Sequence, residues 1–495
     1  MVTALAVLVA LLILGVGFNR ARPYGKLGIL AWFQSVVLMS PWIIFFGLFS
    51  AGIYLNLAGM LLLFVISTGF YIWIGRKLRA EGQEFLAQRA AAKVAQPSAH
   101  GNMSESAFPK SDEATAAPVL SQPENLSIPN DDLQAIKGIF GIDTYFLTET
   151  ISYQDGAIFK GNLRGDPDAT HAKLTENLKT QVGDRYRLFL IENQDEKPVV
   201  VVLPSKNDPK PLTLTQTLLS IVLFLATIAA SLETGGILLG FDFYGSPERY
   251  KEVLPFSLGI LAVLLAHEFG HWIVAKRHQI KLNLPFFIPT WQIGSFGAIT
   301  KFGSLLPNRS TLFDISVAGP IAGGLVAFGM LIAGLLMSHE GSGFKVPTQF
   351  FEGSILVGTL ARVIMGTGIQ RSIVEVSPLV VLGWIGLVVT AINVMPAGQL
   401  DGGRIVQAIY GRKIAARATV ATITILGLAS FVNPLALYWA IVIVVLQRNP
   451  ERPSLNELTE PDDARAAIGL VVLFLMVTIL LPLTPSLAGR LGIGG

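Results

Sequence analysis

Ten stretches of this chain are strongly apolar, near residues 2–18, 28–49, 52–75, 213–232, 254–275, 311–337, 376–395, 417–431, 434–447 and 466–483. Several approach or exceed the ~20 residues that carry a helix across a bilayer. Only 14% of the residues are charged, against roughly 25% in an ordinary soluble domain. The pair on either side of Asn433-Pro434 is short enough to form one broken hairpin. The expected fold is therefore a multi-pass α-helical membrane protein with roughly eight to ten spans.

The runs are interrupted once at length. Residues 80–128 are rich in Ala, Ser, Gln, Pro and Glu and read as a flexible linker that cannot bury a core. A small soluble module follows at 129–206. "DDLQAIKGIFG" reads as a short helix, "TYFLTETISYQDGAIFKGNLR" as a hairpin turning at Asp155-Gly156, "DATHAKLTENLKTQVG" as a second helix, and "YRLFLIEN" with "KPVVVVLP" as a second hairpin. The order predicts an α+β domain of two similarly patterned halves. The chain thus divides into N-terminal spans (1–79), linker (80–128), α+β domain (129–206), a membrane core (213–447), and a connector with a last span (448–495). The N-terminal run, whose first charge is Arg20, reads as a retained span with its N-terminus outside rather than a cleaved signal.

Basic residues orient the spans. Arg20, Arg22 and Lys26; Arg76, Lys77 and Arg79; Lys276, Arg277 and Lys281; Arg404, Arg412, Lys413 and Arg417; and Arg448 and Arg452 all fall on one face. By the positive-inside rule that face is cytoplasmic, or stromal in a plastid-like organelle. The net charge of +3 gives no reason to expect a nucleic-acid partner. The chain has no cysteine, which excludes disulfides and leaves histidine and carboxylate as metal ligands.

Chemistry enters at "LAVLLAHEFGHWIVAKRH", residues 261–278. Ionisable groups inside a span are costly and by default functional. On a helix, His267 and His271 lie one turn apart on one face, so both imidazoles can reach one zinc ion. Glu268 sits one step around, placed to take a proton from water. A catalytic zinc site takes a third protein ligand. Of the other histidines, His100 and His171 lie in soluble segments, His278 just past the helix, and His339 on the opposite face. "TAINVMPAGQLDGGR", 390–404, offers Asp401 on the correct side, with Pro396 and the glycines to break the helix and turn it toward the metal. Alone this run reads equally well as an Asp-Gly turn at a helix exit. Beside HEFGH it supplies the third ligand.

The two motifs, His267-Glu268-Phe269-Gly270-His271 and Asn393-Val394-Met395-Pro396-Ala397-Gly398-Gln399-Leu400-Asp401-Gly402, together resemble the site-2 protease family of intramembrane zinc metalloproteases. "GNLRG" (161–165), "GSFGAITKFGSLLPNR" and "DISVAGPIAGG" bring the resemblance closer to the plastid proteins called ethylene-dependent gravitropism-deficient and yellow-green, and their cyanobacterial relatives. The resemblance covers roughly 130–445. It implies a Zn2+-dependent endopeptidase that cuts transmembrane helices of membrane-anchored substrates, such as anti-sigma factors or tethered transcription factors. It also implies a cyanobacterial plasma or thylakoid membrane, with the active site toward the cytoplasm. It makes His267, His271 and Asp401 the ligands, Glu268 the general base, and Asn393 a group that positions substrate or the transition-state oxygen. A substrate helix must unwind to be cut, and an edge strand at 291–306 could hold it extended. Two readings compete: a membrane zinc protease acting at the cytoplasmic surface, with Glu375 as the available third ligand, and a non-catalytic zinc-binding scaffold or transporter. The short connector at 207–212 keeps the α+β domain near the site, where it is expected to act as a lid.

Overall fold

The computed structural model describes residues 128–493 except 154, 194, 291, 432 and 448, most of 15–50, and scattered positions between 63 and 78. Nearly all of the linker expected at 80–128, and most of the spans expected at 2–18 and 52–75, lie outside the described residues. The chain divides into two compact units, Met1–Leu120 and Ser121–Gly495. In the first, one helix, α1 (Gly25–Ser50), covers the apolar run expected at 28–49.

The second unit begins with the α+β domain. Its order is α2 (Asn130–Lys137), β1 (Tyr145–Tyr153), β2 (Gly156–Leu163), α3 (Pro167–Val182), β3 (Tyr186–Glu192) and β4 (Pro198–Pro204). The strands form one antiparallel sheet in the order β1-β2-β4-β3. Both hairpins are as the alternation of the sequence requires, with one shift. Tyr153 pairs with Gly156, so Gly156 belongs to β2 rather than to the turn expected at Asp155-Gly156. Gly156 is needed by the neighbouring strand: a Cβ there would lie 2.2 Å from the Val202 carbonyl oxygen. Within the GNLRG run, Gly161, Asn162 and Leu163 are paired β2 residues opposite Leu147, Phe146 and Tyr145. The unbroken valines 199–202 have a physical reason. One sheet face packs on Ile136, Leu174 and Leu178 of the two helices. The other packs Phe189, Val199 and Val201 against Leu305 and Leu455 of the membrane part, so both faces are apolar.

The membrane part follows. Its helices are α4 (Leu214–Leu238), α5 (Tyr250–Arg277), α6 (Arg309–Met337), α7 (Ile355–Met365), α8 (Pro378–Asn393), α9 (Asp401–Ala429), α10 (Pro434–Val442), α11 (Asp463–Leu480) and α12 (Pro485–Leu491). A capping box of Thr213 and Gln216 opens α4. Two short antiparallel strand pairs interrupt the helices. The first joins β5 (Phe286–Thr290) to β6 (Gly294–Ile299) between α5 and α6; the second joins β7 (Phe344–Pro347) to β8 (Ile373–Val376) between α6 and α8. Among the described residues four helices are long and apolar enough to cross a membrane: Leu214–Leu238, Pro247–Arg277, Arg309–Met337 and Asp463–Leu480. Shorter apolar helices at Gly28–Val37, Ile355–Gln370, Pro378–Asn393 and Ala436–Val445 account for several of the other runs.

The bundle is organised around α8. Its residues Val380–Leu382, Ile385, Leu387 and Val389 are buried against Ala327, Leu331 and Leu335 of α6 and Ile260 and Val263 of α5. The stretch 338–377 folds over the far end of α6. There β7, β8 and α7 enclose Val346, Phe351, Val357 and Val374 with Leu483 and Ala488 from the C-terminal segment. The sequence reading gave these residues no element.

Candidate metal centre and active site

Helix α5 runs unbroken through the HEFGH motif, which puts His267 and His271 one turn apart. They are buried because α6 leaves room for them. A Cβ on Gly319 would lie 2.2 Å from the His271 Nε2, and one on Gly323 would lie 2.9 Å from the His267 Cβ. The small residues of "VAGPIAGG" are the sockets for two imidazoles.

The second motif is built differently. Helix α8 has 16 residues, about 24 Å at 1.5 Å per residue, so it ends at Asn393 short of the ~30 Å hydrocarbon thickness. Irregular backbone at such depth persists only inside protein. The 394–400 loop is accordingly mostly buried. The Gly398 N–H donates to Thr419 Oγ1 at 2.8 Å and Thr422 Oγ1 donates to the Pro396 carbonyl at 3.3 Å. Asp401 then opens α9, so it begins a helix rather than closing one. A Cβ at Gly402 would fall 1.7 Å from the Val394 oxygen, which explains the glycine after Asp401.

These two constructions bring three donor atoms together. Asp401 Oδ2 lies 3.0 Å from His267 Nε2 and 3.4 Å from His271 Nε2, and the two Nε2 atoms are 3.2 Å apart. Ligands around a tetrahedral zinc with 2.0–2.1 Å bonds are separated by about 3.3 Å, so the triangle fits that ion. His271 Nδ1 lies 2.7 Å from the Ile315 carbonyl. Only a protonated Nδ1 can donate there, which leaves Nε2 its lone pair. All three residues are buried, at 8%, 4% and 7% exposure for His267, His271 and Asp401. The carboxylate of Glu268 lies within 4.8 Å of both imidazoles.

The other candidate ligands are occupied elsewhere. Glu375, on β8, pairs with Lys345 at 3.3 Å and accepts from the Gly341 N–H. His278 lies 3.2 Å from Asp314. His171 and His339 contact the carbonyls of Leu188 and Glu340, and His100 lies outside the described residues. Asp314 itself joins α6 to α11 through Arg465, at 2.7 and 2.9 Å. Arg362 turns back on its own chain at Gly366.

Glu268 faces a groove of about 620 Å³ lined by Leu265, Phe269, Trp272, Leu284, Pro285 and Thr300 among others. Phe269 and Trp272 are stacked with ring centroids 5.5 Å apart. Thr300 Oγ1 donates to Glu268 Oε2 at 2.6 Å. The hairpin beside the groove is the segment expected to provide an edge strand. Asn393 Nδ2 donates to the Phe296 carbonyl of β6 at 3.2 Å and to Val389 at 2.9 Å. Arg404 Nη2 donates to the Thr300 carbonyl at 2.7 Å. The groove's lining comes from α5 and 282–300; among the described residues the α+β domain contributes none, so the lid expectation gains no support. Thr300 and Glu451, a partner of Arg404 at 2.8 Å, were missed in the sequence. A hydroxyl or a carboxylate in a loop carries no spacing signal.

Residues 255–433 match the model of Peptidase family M50, and residues 134–210 match the EGY3 middle domain. The chain is 37% identical over 386 residues to "Probable zinc metalloprotease EGY2, chloroplastic" of Arabidopsis thaliana, covering 75% of this chain and 68% of that one. It is 37% identical over 406 residues to "Probable zinc metalloprotease EGY1, chloroplastic" of Oryza sativa subsp. japonica, covering 74% and 70%. The corresponding EGY3 protein of Arabidopsis thaliana is 31% identical over 378 residues, covering 71% and 65%. No solved structure matches. Two motifs that meet at one buried triangle, on a chain with this likeness, belong to one lineage: the protein is a member of the M50, or site-2 protease, family of zinc metalloproteases and is homologous to its EGY proteins.

Proposed function

We propose that this protein is an intramembrane endopeptidase that cuts transmembrane helices of membrane-anchored proteins, with His267, His271 and Asp401 as zinc ligands and Glu268 as general base. The observation that carries the reading is the position of Glu268: it is one residue from the buried triangle yet opens onto an apolar groove. A groove walled by Leu265, Phe269, Trp272 and Leu284 suits a peptide that arrives from lipid. Bound at the triangle, zinc supplies Lewis-acid polarisation of the scissile carbonyl and of water. Glu268 accepts the proton of the attacking water and passes it to the leaving amide nitrogen. Thr300 fixes one carboxylate oxygen and leaves the other to carry that proton.

The substrate has to be extended to be cut, and β6 is the segment we assign to hold it. The Phe296 and Thr300 carbonyls are taken by Asn393 and Arg404. They pin the β6 edge on either side of the irregularity at Gly297, whose φ is +101 and where the register with β5 shifts. Asn393 then positions the substrate by fastening that edge. The groove lies at the end of α5 that carries Lys276 and Arg277, which by the positive-inside rule is cytoplasmic, or stromal in a plastid. The membrane we assign is the plasma or thylakoid membrane of a cyanobacterium. The substrate class we assign includes anti-sigma factors and tethered transcription factors.

The test is a reconstituted single-pass reporter whose cut site is mapped by mass spectrometry. Cleavage inside the transmembrane segment, abolished in Glu268→Gln, is the expected result. Cuts confined to the flanking aqueous segments would replace the reading with a surface protease. Proteomics of membranes carrying parent or Glu268→Gln protein then names the natural substrates.

A further inference from the structure

We propose that residues 451–459 hold the helix that carries Asp401 in place, and that the α+β domain holds those residues in turn. Glu451 and Arg309 are thus positioning residues for the active site. The proposal rests on the reading of Asp401 as a metal ligand.

Helix α9 is broken at Gly411, which has φ +81, so 401–410 is a short separate piece that needs external support. Arg309, 6% exposed, holds its end. It donates to the carbonyls of Ala408 at 2.7 Å and Ile409 at 2.6 Å, groups that a helix terminus leaves unpaired. Arg404 holds its side. The guanidinium makes two contacts with the Glu451 carboxylate, at 2.8 and 3.0 Å, and lies 4.7 Å over the Phe302 ring. It also reaches within 3.9 Å of Asp401 Oδ1 and bonds the carbonyl of Thr300, whose hydroxyl holds Glu268. Gln407 adds a bond to the Glu451 carbonyl at 3.2 Å. The pair is buried, at 5% and 11% side-chain exposure, and a buried guanidinium–carboxylate pair is geometrically demanding on both partners. One carboxylate therefore fixes the group that touches both the ligand and the holder of the base.

Glu451 is fixed because the chain beyond it is clamped on two sides. The N–H groups of Leu455 and Asn456 donate to the carbonyls of Leu306 and Pro307 at 2.8 and 2.9 Å. On the other side Leu190 of β3 donates to Leu455 at 2.8 Å, and Glu457 donates to Leu190 at 2.9 Å. Leu190 and Asn456 form a parallel bridge, so the segment lies along the edge of the soluble sheet. Asn456 Nδ2 and Thr459 Oγ1 both donate to Asp168 of α3, at 2.6 and 2.8 Å. Without the domain the segment would lose one of its two walls. The domain that the sequence suggested as a lid acts instead through the ligand helix.

The test uses the full-length protein in lipid nanodiscs. Glu451→Gln keeps the shape and removes the charge. The double variant Asn456→Ala/Thr459→Ala leaves Glu451 in place and loosens the domain. Three readouts are taken: zinc affinity by competition with a chromophoric chelator, the visible spectrum of the cobalt-substituted protein, and kcat and KM on a transmembrane reporter. Outer-sphere partners of a metal typically govern about 10–100-fold in affinity. Glu451→Gln is expected to fall in that range, to alter the cobalt spectrum and to lower kcat with KM unchanged. The double variant should move the same readouts in the same direction by less. Parental affinity, spectrum and kcat in both variants would overturn the proposal. Should Glu451→Gln fail to insert, the double variant decides alone. If His267→Ala binds zinc as tightly as the parent, it is the ligand reading that has failed, not this one.

Discussion

His267 Nε2 and Asp401 Oδ2 lie 3.0 Å apart although 134 residues separate them in the chain. Two sequence-distant, buried, ionisable side chains are brought to contact distance, at a spacing that a metal ion uses. The first expectation concerns that contact. Asp401→Ala should lower zinc occupancy as His267→Ala does, because neither leaves the three protein ligands of a catalytic site. Zinc content per chain, measured on purified protein, checks this; a ratio near one in Asp401→Ala would remove Asp401 from the ligand set.

In the proposed reaction Glu268 contributes a proton acceptor and no necessary bond to the metal. Glu268→Gln should therefore retain zinc and lose cleavage by about 10²–10⁴-fold, the usual worth of a positioned base. Reporter cleavage and metal content are measured on the same sample.

Thr300 orients that base. Thr300→Val keeps the shape of the side chain and removes the 2.6 Å hydrogen bond to Glu268. A bond to a charged group is worth about 1.5 kcal/mol, or about tenfold in rate. The expected outcome is a kcat lowered by that factor with zinc content unchanged. An unchanged kcat would show that the hydroxyl does not orient the base.

Gly319 is the socket of His271. Gly319→Ala adds a methyl 2.2 Å from Nε2, so ring or helix has to shift. Zinc affinity should drop by more than about tenfold while the variant inserts and folds as the parent does. Gly329→Ala, a control whose Cβ meets nothing within 4 Å on the same helix, should be silent.

The α+β domain has its own pH dependence. Burial pushes the His171 imidazole below its usual 6.5, against the opposing pull of the Leu188 carbonyl and Asp168. An unfolded chain then takes up more protons than the folded one below about pH 6.5. The stability this histidine allows is present above that value and drains away as the pH falls toward the folded pKa. Hydrogen-exchange protection of 145–204 should weaken on acidification through this window, and His171→Gln should flatten the dependence.

Much of this was legible because two signals were strong. Apolar length located α4, α5, α6, α8, α10 and α11, and the fixed spacing of HEFGH with the later N-x-x-P-x-x-x-L-D-G run pointed to the triangle. The two soluble hairpins followed from alternation and turn residues. What stayed hidden lacks periodicity. The 338–377 excursion packs apolar residues from short irregular pieces, none long enough to announce an element. Thr300, Arg309 and Glu451 act through single long-range contacts, and Asn456 looks like any loop asparagine until Asp168 is seen beside it. Gly156 left the turn expected at Asp155-Gly156 because it answers to the strand across from it.

The buried loop before Asp401 also has a consequence in time. Its backbone is completed by Thr419 and Thr422, and the helix it precedes is steadied by Glu451. Part of what holds Asp401 in place is thus encoded after it. During synthesis a chain that has already delivered His267, Glu268 and His271 to the membrane still lacks Thr419, Thr422 and Glu451. These supports are complete only when some fifty residues past Asp401 have emerged, a delay set by the order of the sequence.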